Sequence, residues 1–184
     1  MIVKGRHEKG FYMLDYVSSK VRAIKDFPKE GIIFRDITTA VKDAKALNYI
    51  IEYFKEKFKD EKIDYVAGVE SRGFVFGAAI AYALNAGFIL IRKPGKLPAE
   101  TISEEYSLEY GTDKIEMHKD ALQKDDRVLL IDDLLATGGT MSAAVNLVKK
   151  IGAVPVAAAF VIELDALKGR EKLSDTKVVS MLHY

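Results

Sequence analysis

One run of residues carries the strongest chemical pattern in the chain: Val128-Leu129-Leu130-Ile131-Asp132-Asp133-Leu134-Leu135-Ala136-Thr137-Gly138-Gly139-Thr140. The apolar stretch Val128 to Ile131 has the length of a buried strand and delivers two adjacent carboxylates to the edge of a sheet. Small residues follow, and a helical pattern begins at their end. Ala136, Thr137, Gly138, Gly139 and Thr140 therefore offer successive backbone N–H groups, with two hydroxyls beside them, at a helix N-terminus. Such an end cradles a phosphate monoester, because its first N–H groups lack intrahelical partners and the helix dipole favours negative charge there. The dipole alone contributes about 0.3–1 kcal/mol, so several N–H bonds to the charged group must supply most of the affinity. Asp132 and Asp133 can accept hydrogen bonds from vicinal ribose hydroxyls while a 5′-phosphate lies in the loop. They also favour positive charge developing at the anomeric carbon. The alternative on spacing alone is a turn that Asp133 caps and the glycines merely tighten.

Cationic residues sit at two further strand ends. Arg72, beside Ser71 and Gly73, lies between an apolar run and a helix, where a guanidinium and neighbouring N–H groups can hold a polyphosphate. Arg92, Lys93 and Lys96 bracket Pro94-Gly95 directly after another apolar run, and three positive charges on a stiff turn suit a leaving group of several negative charges. Glu100, Glu104, Glu105 and Glu109 follow within one segment, and physics alone does not choose an acid/base group among them. Phe34 can stack on a planar ring, or be ordinary core. Rival phosphate motifs are absent: there is no G-x-x-x-x-G-K-[ST] and no G-x-G-x-x-G. The three histidines are scattered without H-E-x-x-H, and Ser71 misses the G-x-S-x-G register by one residue.

The elements that must position these groups follow from periodicity. Leu14, Val17, Val21 and Ile24 predict an amphipathic first helix, stopped at Asp26-Phe27-Pro28, with a turn from Pro28 to Gly31. A second helix after Asp43 places Ala44, Leu47, Ile50, Ile51, Phe54 and Phe58 on one face and alternating Lys and Glu on the other. From Ile63 the rhythm becomes strand, turn, helix, strand. Tyr65 to Val69, Phe88 to Ile91, Val128 to Ile131 and Val154 to Ile162 read as strands. Phe74 to Leu84 and Met141 to Ile151 read as helices. The alternation predicts an α/β fold, a single domain with a central, mostly parallel sheet flanked by helices. Right-handed crossovers then bring the strand-to-helix turns to one edge, where ligands of open α/β sheets bind. Pro94 to Lys119 has no clear periodicity and is expected to be a working loop or lid.

Composition narrows the function classes. The chain has 184 residues, with 28 Lys plus Arg against 27 Asp plus Glu, so no global field favours nucleic acid or an anionic membrane. It lacks cysteine, which removes disulfides and thiolate metal sites and agrees with a cytoplasmic location. Gly73 to Ile91 is free of charge, but Asn85-Ala86-Gly87 interrupts it, so a buried helix and a parallel strand are expected rather than a membrane span. Residues 1–12 are polar and Gly-punctuated and are read as an extension, native or added, ahead of a domain at 13–184.

The Asp132 to Thr140 run resembles the phosphoribosyl pyrophosphate (PRPP) motif of type I phosphoribosyltransferases, in the version found in the adenine-specific members. Further segments match. Phe27-Pro28-x-x-Gly31 to Ile37 resembles the family's adenine-site segment, and Glu70-Ser71-Arg72-Gly73-Phe74 its pyrophosphate loop. Arg92 to Pro98 and Tyr106 to Gly111 resemble its lid region, and Leu167 to Leu173 its C-terminal segment. At Glu70 other members carry Asp, a departure expected to be tolerated. The resemblance implies a cis peptide between Glu70 and Ser71, and a small N-terminal hood with a lid loop. It implies ribose and 5′-phosphate contacts at Asp132, Asp133 and Ala136 to Thr140, and pyrophosphate contacts at Ser71, Arg72, Arg92, Lys93 and Lys96. It assigns adenine to Ile33, Phe34, Arg35 and Leu164. Among the acidic lid residues it selects Glu109, with Tyr110 beside it, to manage the purine N7 proton as N9 attacks. Mg²⁺ is implied, held mainly by substrate and water rather than by a protein cage, and so is a homodimer. The expected substrates are adenine and PRPP, with AMP and pyrophosphate as products. Two rivals stand beside this reading. One is transfer to another base such as xanthine. The other is a regulator that senses PRPP and binds nucleic acid, which would need an added domain or a basic face.

Overall fold

The computed structural model describes residues 4–107 and 111–184, with residues 4–11 described through their backbone only. The chain divides into two compact units, one ending at Tyr53 and one running from Phe54 to Tyr184.

In the first unit, helix α1 (Lys4–Lys20) is followed by a hairpin of β1 (Arg22–Lys25) and β2 (Ile33–Asp36), then by α2 (Thr38–Lys42) and the start of α3 (Ala44–Phe58). The helix therefore stops four residues before Ile24, and Val21 and Ile24 do not continue its face. The cause is Asp36. Arg22 donates to it from Nε at 3.1 Å and Nη2 at 2.5 Å, and pairing across β1 and β2 claims the backbone. The Arg22 guanidinium, followed by bonds from Thr38, holds the Asp36 carboxyl down to about 2. The expected turn at Pro28 to Gly31 closes the hairpin, with a cis Phe27–Pro28 bond and Gly31 at φ 86°. The Gly31 N–H donates to Asp26 Oδ1 at 2.8 Å.

The second unit holds the sheet. Among the described residues it has five parallel strands in the order β4 (Gly87–Ile91), β3 (Tyr65–Val69), β7 (Arg127–Leu135), β8 (Val154–Glu163) and β9 (Val178–His183). Helix α4 (Gly73–Leu84) packs on β3 and β7, and α5 (Gly139–Ile151) on β7 and β8. Alternation along β7 sorts the two faces. Val128 and Leu130 belong to the cluster built with α5 residues Met141, Ala144 and Val148, whereas Ile131 lies under Gly77 of α4. Asn85 and Gly152 end these helices in left-handed conformations, as their positions in the sequence predict.

The expected loop from Pro94 to Lys119 is instead largely a hairpin, β5 (Thr101–Ser107) paired with β6 (Thr112–His118) from Thr101↔His118 to Ser107↔Thr112. Its pattern escaped periodicity because only a few apolar side chains anchor it. Ile115 and Met117 are buried, and Ile102 and Tyr106 pack on the same core. No helix among the described residues is long and apolar enough to cross a membrane.

Candidate active site

Strand β7 runs through both carboxylates instead of ending before them, and both reach the start of α4, Asp132 Oδ1 beside Gly73 and Asp133 at Arg72. Asp133 is buried and paired with the Arg72 guanidinium at the start of α4. Asp132 accepts the Asp133 N–H at 2.8 Å. Burial, reinforced by the neighbouring Asp133 carboxylate, pushes the Asp132 carboxyl well above the usual carboxylate range. Beyond the strand the chain turns through Gly138 at φ 80°, and α5 begins at Gly139 without a side-chain cap. The first N–H groups of a helix lack intrahelical partners, as a phosphate site requires. Asp132, Phe160 and the stretch Leu134 to Met141 line a cavity of about 90 Å³ at this point. Ala136, Thr137, Gly138, Gly139 and Thr140 are therefore brought together as the sequence predicts.

The second cluster is built on β3 and β4. The Glu70–Ser71 peptide is cis, as expected from the resemblance. Glu70 does not face outward: it accepts Arg92 Nε at 3.1 Å, Arg92 Nη2 at 3.2 Å and the Lys93 N–H at 3.0 Å. The Arg92 guanidinium, against the opposing effect of burial, holds the Glu70 carboxyl below its ordinary value. Arg92 also donates from Nη1 to the Lys96 carbonyl at 3.2 Å, which closes the Pro94-Gly95 turn. Lys93 is paired with Asp113 of β6 and donates to the Tyr106 hydroxyl of β5 at 2.8 Å. Ser71 and Lys96 are exposed. Arg72, Arg92 and Lys93 thus each hold a carboxylate of this chain.

The sequence names Tyr106 only as the start of a lid segment and does not single out Asp113; the Lys93-to-Asp113 pairing has no local signal because the two lie on different strands. Glu104 is one of the four carboxylates among which the sequence does not choose. It is largely shielded, accepts Asn146 Nδ2 at 3.0 Å and pairs with Lys150, which ties β5 to α5. Glu100 is mostly exposed beside Lys119. Glu109 and Tyr110 lie outside the described residues. Leu164 follows β8, half-buried, and its N–H donates to the Leu135 carbonyl at 2.9 Å, next to the phosphate loop. Ile33, Phe34 and Arg35 belong to the first unit. There Ile33 is exposed, and the Phe34 ring meets Phe27 edge-on at 5.2 Å between centroids.

Residues 38–183 match the phosphoribosyl transferase domain model. The chain is 53% identical over 171 residues to the adenine phosphoribosyltransferase of Geobacter metallireducens, covering 93% of this chain and all of that protein. A crystal structure of the enzyme from Thermoanaerobacter pseudethanolicus superposes with a TM-score of 0.90 at 50% identity, covering 93% of this chain and 99% of that one. The Saccharomyces cerevisiae enzyme, solved with an iminoaltritol bisphosphate and adenine, gives 0.89 at 39% identity, covering 93% and 99%. With an uncapped helix end behind two sheet-edge carboxylates, and relatives that match along nearly their whole length, the chain belongs to the phosphoribosyltransferase family and, within it, to the adenine phosphoribosyltransferases.

Proposed function

We propose that the chain transfers the 5-phosphoribosyl group of PRPP to N9 of adenine, giving AMP and pyrophosphate. The observation that carries this reading is the start of α5, free of a side-chain cap, reached from Asp132 and Asp133 through the short stretch Leu134 to Gly138. The 5′-phosphate binds the N–H groups from Ala136 to Thr140, and the two carboxylates take the ribose hydroxyls. N9 attacks C1′ as the C1′–O bond to pyrophosphate breaks, with inversion. Adenine loses one proton, which Glu109 takes from N7, and Tyr110 closes over the site with it. Ser71, Arg72, Arg92, Lys93 and Lys96 bind the leaving diphosphate. Ile33, Phe34, Arg35 and Leu164 hold adenine.

The donor set fits Mg²⁺ that arrives with substrate. Asp132 and Asp133 offer hard oxygens, but Asp133 is already paired with Arg72 and burial disfavours charge on Asp132. They would hold the ion mainly through substrate oxygens and water, as its reluctance to dehydrate requires. When bound, Mg²⁺ neutralises charge on the diphosphate.

We read residues 13–184 as the functional domain, in a cytoplasmic homodimer without nucleic-acid or membrane partners. Dimerisation is supported by α4, which carries no charged residue yet leaves Val75 46% and Tyr82 89% exposed. The deciding assay supplies PRPP, Mg²⁺ and one purine at a time. Adenine should exceed hypoxanthine, guanine and xanthine in kcat/KM by about 10⁴-fold, because a site built for a 6-amino group leaves buried groups unpaired with 6-oxo purines. Comparable values for xanthine would replace adenine as the base, and no turnover with any purine would remove the transferase reading.

A further inference from the structure

Of the segment from Leu164 to Leu173 only Leu164 has been given a role so far, yet the segment lies against the phosphate loop. It consists of two 3-10 turns, Asp165–Leu167 and Gly169–Leu173, joined by Lys168 in a left-handed conformation at φ 51°. Gly169 is buried, and its backbone meets the loop's backbone directly. A Cβ at Gly138 would collide with the Gly169 carbonyl, and a Cβ at Gly169 would collide with the Ala136 carbonyl. The conformation of the phosphate cradle therefore depends on where Gly169 is held.

What holds Gly169 is the next residue. Arg170 donates from Nε to Glu163 Oε1 at 2.9 Å and from Nη2 to Glu163 Oε2 at 2.6 Å, a two-point pair of fixed orientation. Glu163 ends β8 and lies in register with Leu135, the last residue of β7 before the loop. It is only 4% exposed and also accepts the Ser180 hydroxyl from β9 at 2.5 Å. The Arg170 guanidinium, against burial, keeps its carboxyl below the ordinary value. A buried carboxylate in the sheet thus grips the 3-10 turn through a planar fork and presses Gly169 under the loop.

We propose that Glu163 and Arg170 are positioning residues for the 5′-phosphate cradle, acting through the backbone contact of Gly169 with Ala136 and Gly138. The proposal rests on the reading of Ala136 to Thr140 as the 5′-phosphate site. Arg170 touches no substrate. It fixes the spacing of N–H groups that do, and a displacement of about 1 Å at such groups costs up to about 100-fold.

The test compares Arg170→Lys, which keeps the charge but loses the fork, with Arg170→Ala and Gly169→Ala. Thermal melts establish which variants fold, since Arg170→Ala leaves a buried carboxylate without its partner. In the folded variants, KM for PRPP should rise about 10–100-fold in Gly169→Ala and less in Arg170→Lys, while KM for adenine stays within about twofold. Affinity for ribose 5-phosphate, measured by calorimetry without turnover, should fall in the same order. Unchanged affinity for ribose 5-phosphate in folded Gly169→Ala and Arg170→Lys, or equal rises in both KM values, would overturn the positioning role. If the wild type binds ribose 5-phosphate, loses that binding in the variants, but turns over no purine, the positioning role stands and the transferase reading falls.

Discussion

The two sides of the second unit that we propose as anion sites are built on different principles. On the proposed phosphate side, from Ala136 to Thr140, the candidate groups are backbone N–H groups at the start of α5, fixed by Gly138 and its contact with Gly169. On the proposed pyrophosphate side the candidate groups are largely side chains, and three of its cations already hold carboxylates: Arg72 holds Asp133, Arg92 holds Glu70 and Lys93 holds Asp113. A backbone cradle can be preorganised at little electrostatic cost, because unpaired N–H groups at a helix end carry only partial charge. A cluster of full cations cannot be left bare near one another without raising the energy of the unliganded protein. Holding them on carboxylates removes that repulsion, and the diphosphate must then compete for them. One side is a fixed mould, the other an exchange of partners.

The largest effect should come from the proton-handling group placed in the lid. Glu109→Gln should lower kcat by about 10²–10⁴ in single-turnover measurements with little change in PRPP affinity, the usual span for acid/base catalysis. Equal rates would remove Glu109 from the chemistry. Next comes the mould. Gly138→Ala forces a Cβ into a left-handed residue and onto the Gly169 carbonyl, so KM for PRPP should rise about 100-fold while circular dichroism stays near that of the wild type. A Gly138→Ala enzyme with ordinary PRPP affinity would show that the cradle is as adaptable as the other side.

The exchange side should respond more gently. Arg72→Gln removes one charged hydrogen-bonding group, and KM for PRPP should rise about tenfold, with a reduced dependence on salt compared with wild type. A salt dependence identical to wild type would mean that Arg72 stays on Asp133 throughout.

Asp132 separates stability from activity. Its raised pKa means that the fold disfavours its charge, so stability falls as pH rises from the ordinary carboxylate value through the higher folded one. Asp132→Asn should therefore melt at a higher temperature than wild type at pH 7, with the advantage vanishing below about pH 4, while PRPP turnover drops. A lower melting temperature at pH 7 would contradict that assignment. The smallest effect is expected at Glu104, whose pair with the half-exposed Lys150 joins β5 to α5. Glu104→Gln should cost about 0.2–1 kcal/mol in denaturant unfolding and leave the chemical step nearly unchanged. A loss in kcat comparable to that of Glu109→Gln would instead tie catalysis to the docking of the hairpin.

Whatever depends on near neighbours along the chain was legible in the residues themselves. Tyr65 to Val69 forms β3 because it is a continuous apolar run bounded by polar residues, and Met141 to Ile151 forms α5 because its apolar positions repeat every three to four residues. The phosphate cradle was legible for the same reason: strand, small residues and helix start follow one another without interruption. The lid hairpin was not, since pairing Thr101↔His118 needs two polar strands to find each other and share a narrow apolar edge. Nor was the strand character of Asp132 and Asp133, which comes from pairing with Phe160 and its neighbours on β8. The tertiary structure alone decided which charge meets which. Arg72 reaches Asp133, Lys93 reaches Asp113, and Arg170 grips Glu163 under the loop that Gly138 turns. Ion pairs and backbone contacts between distant segments carry no local periodicity, because their geometry is set by the sheet that brings the segments together.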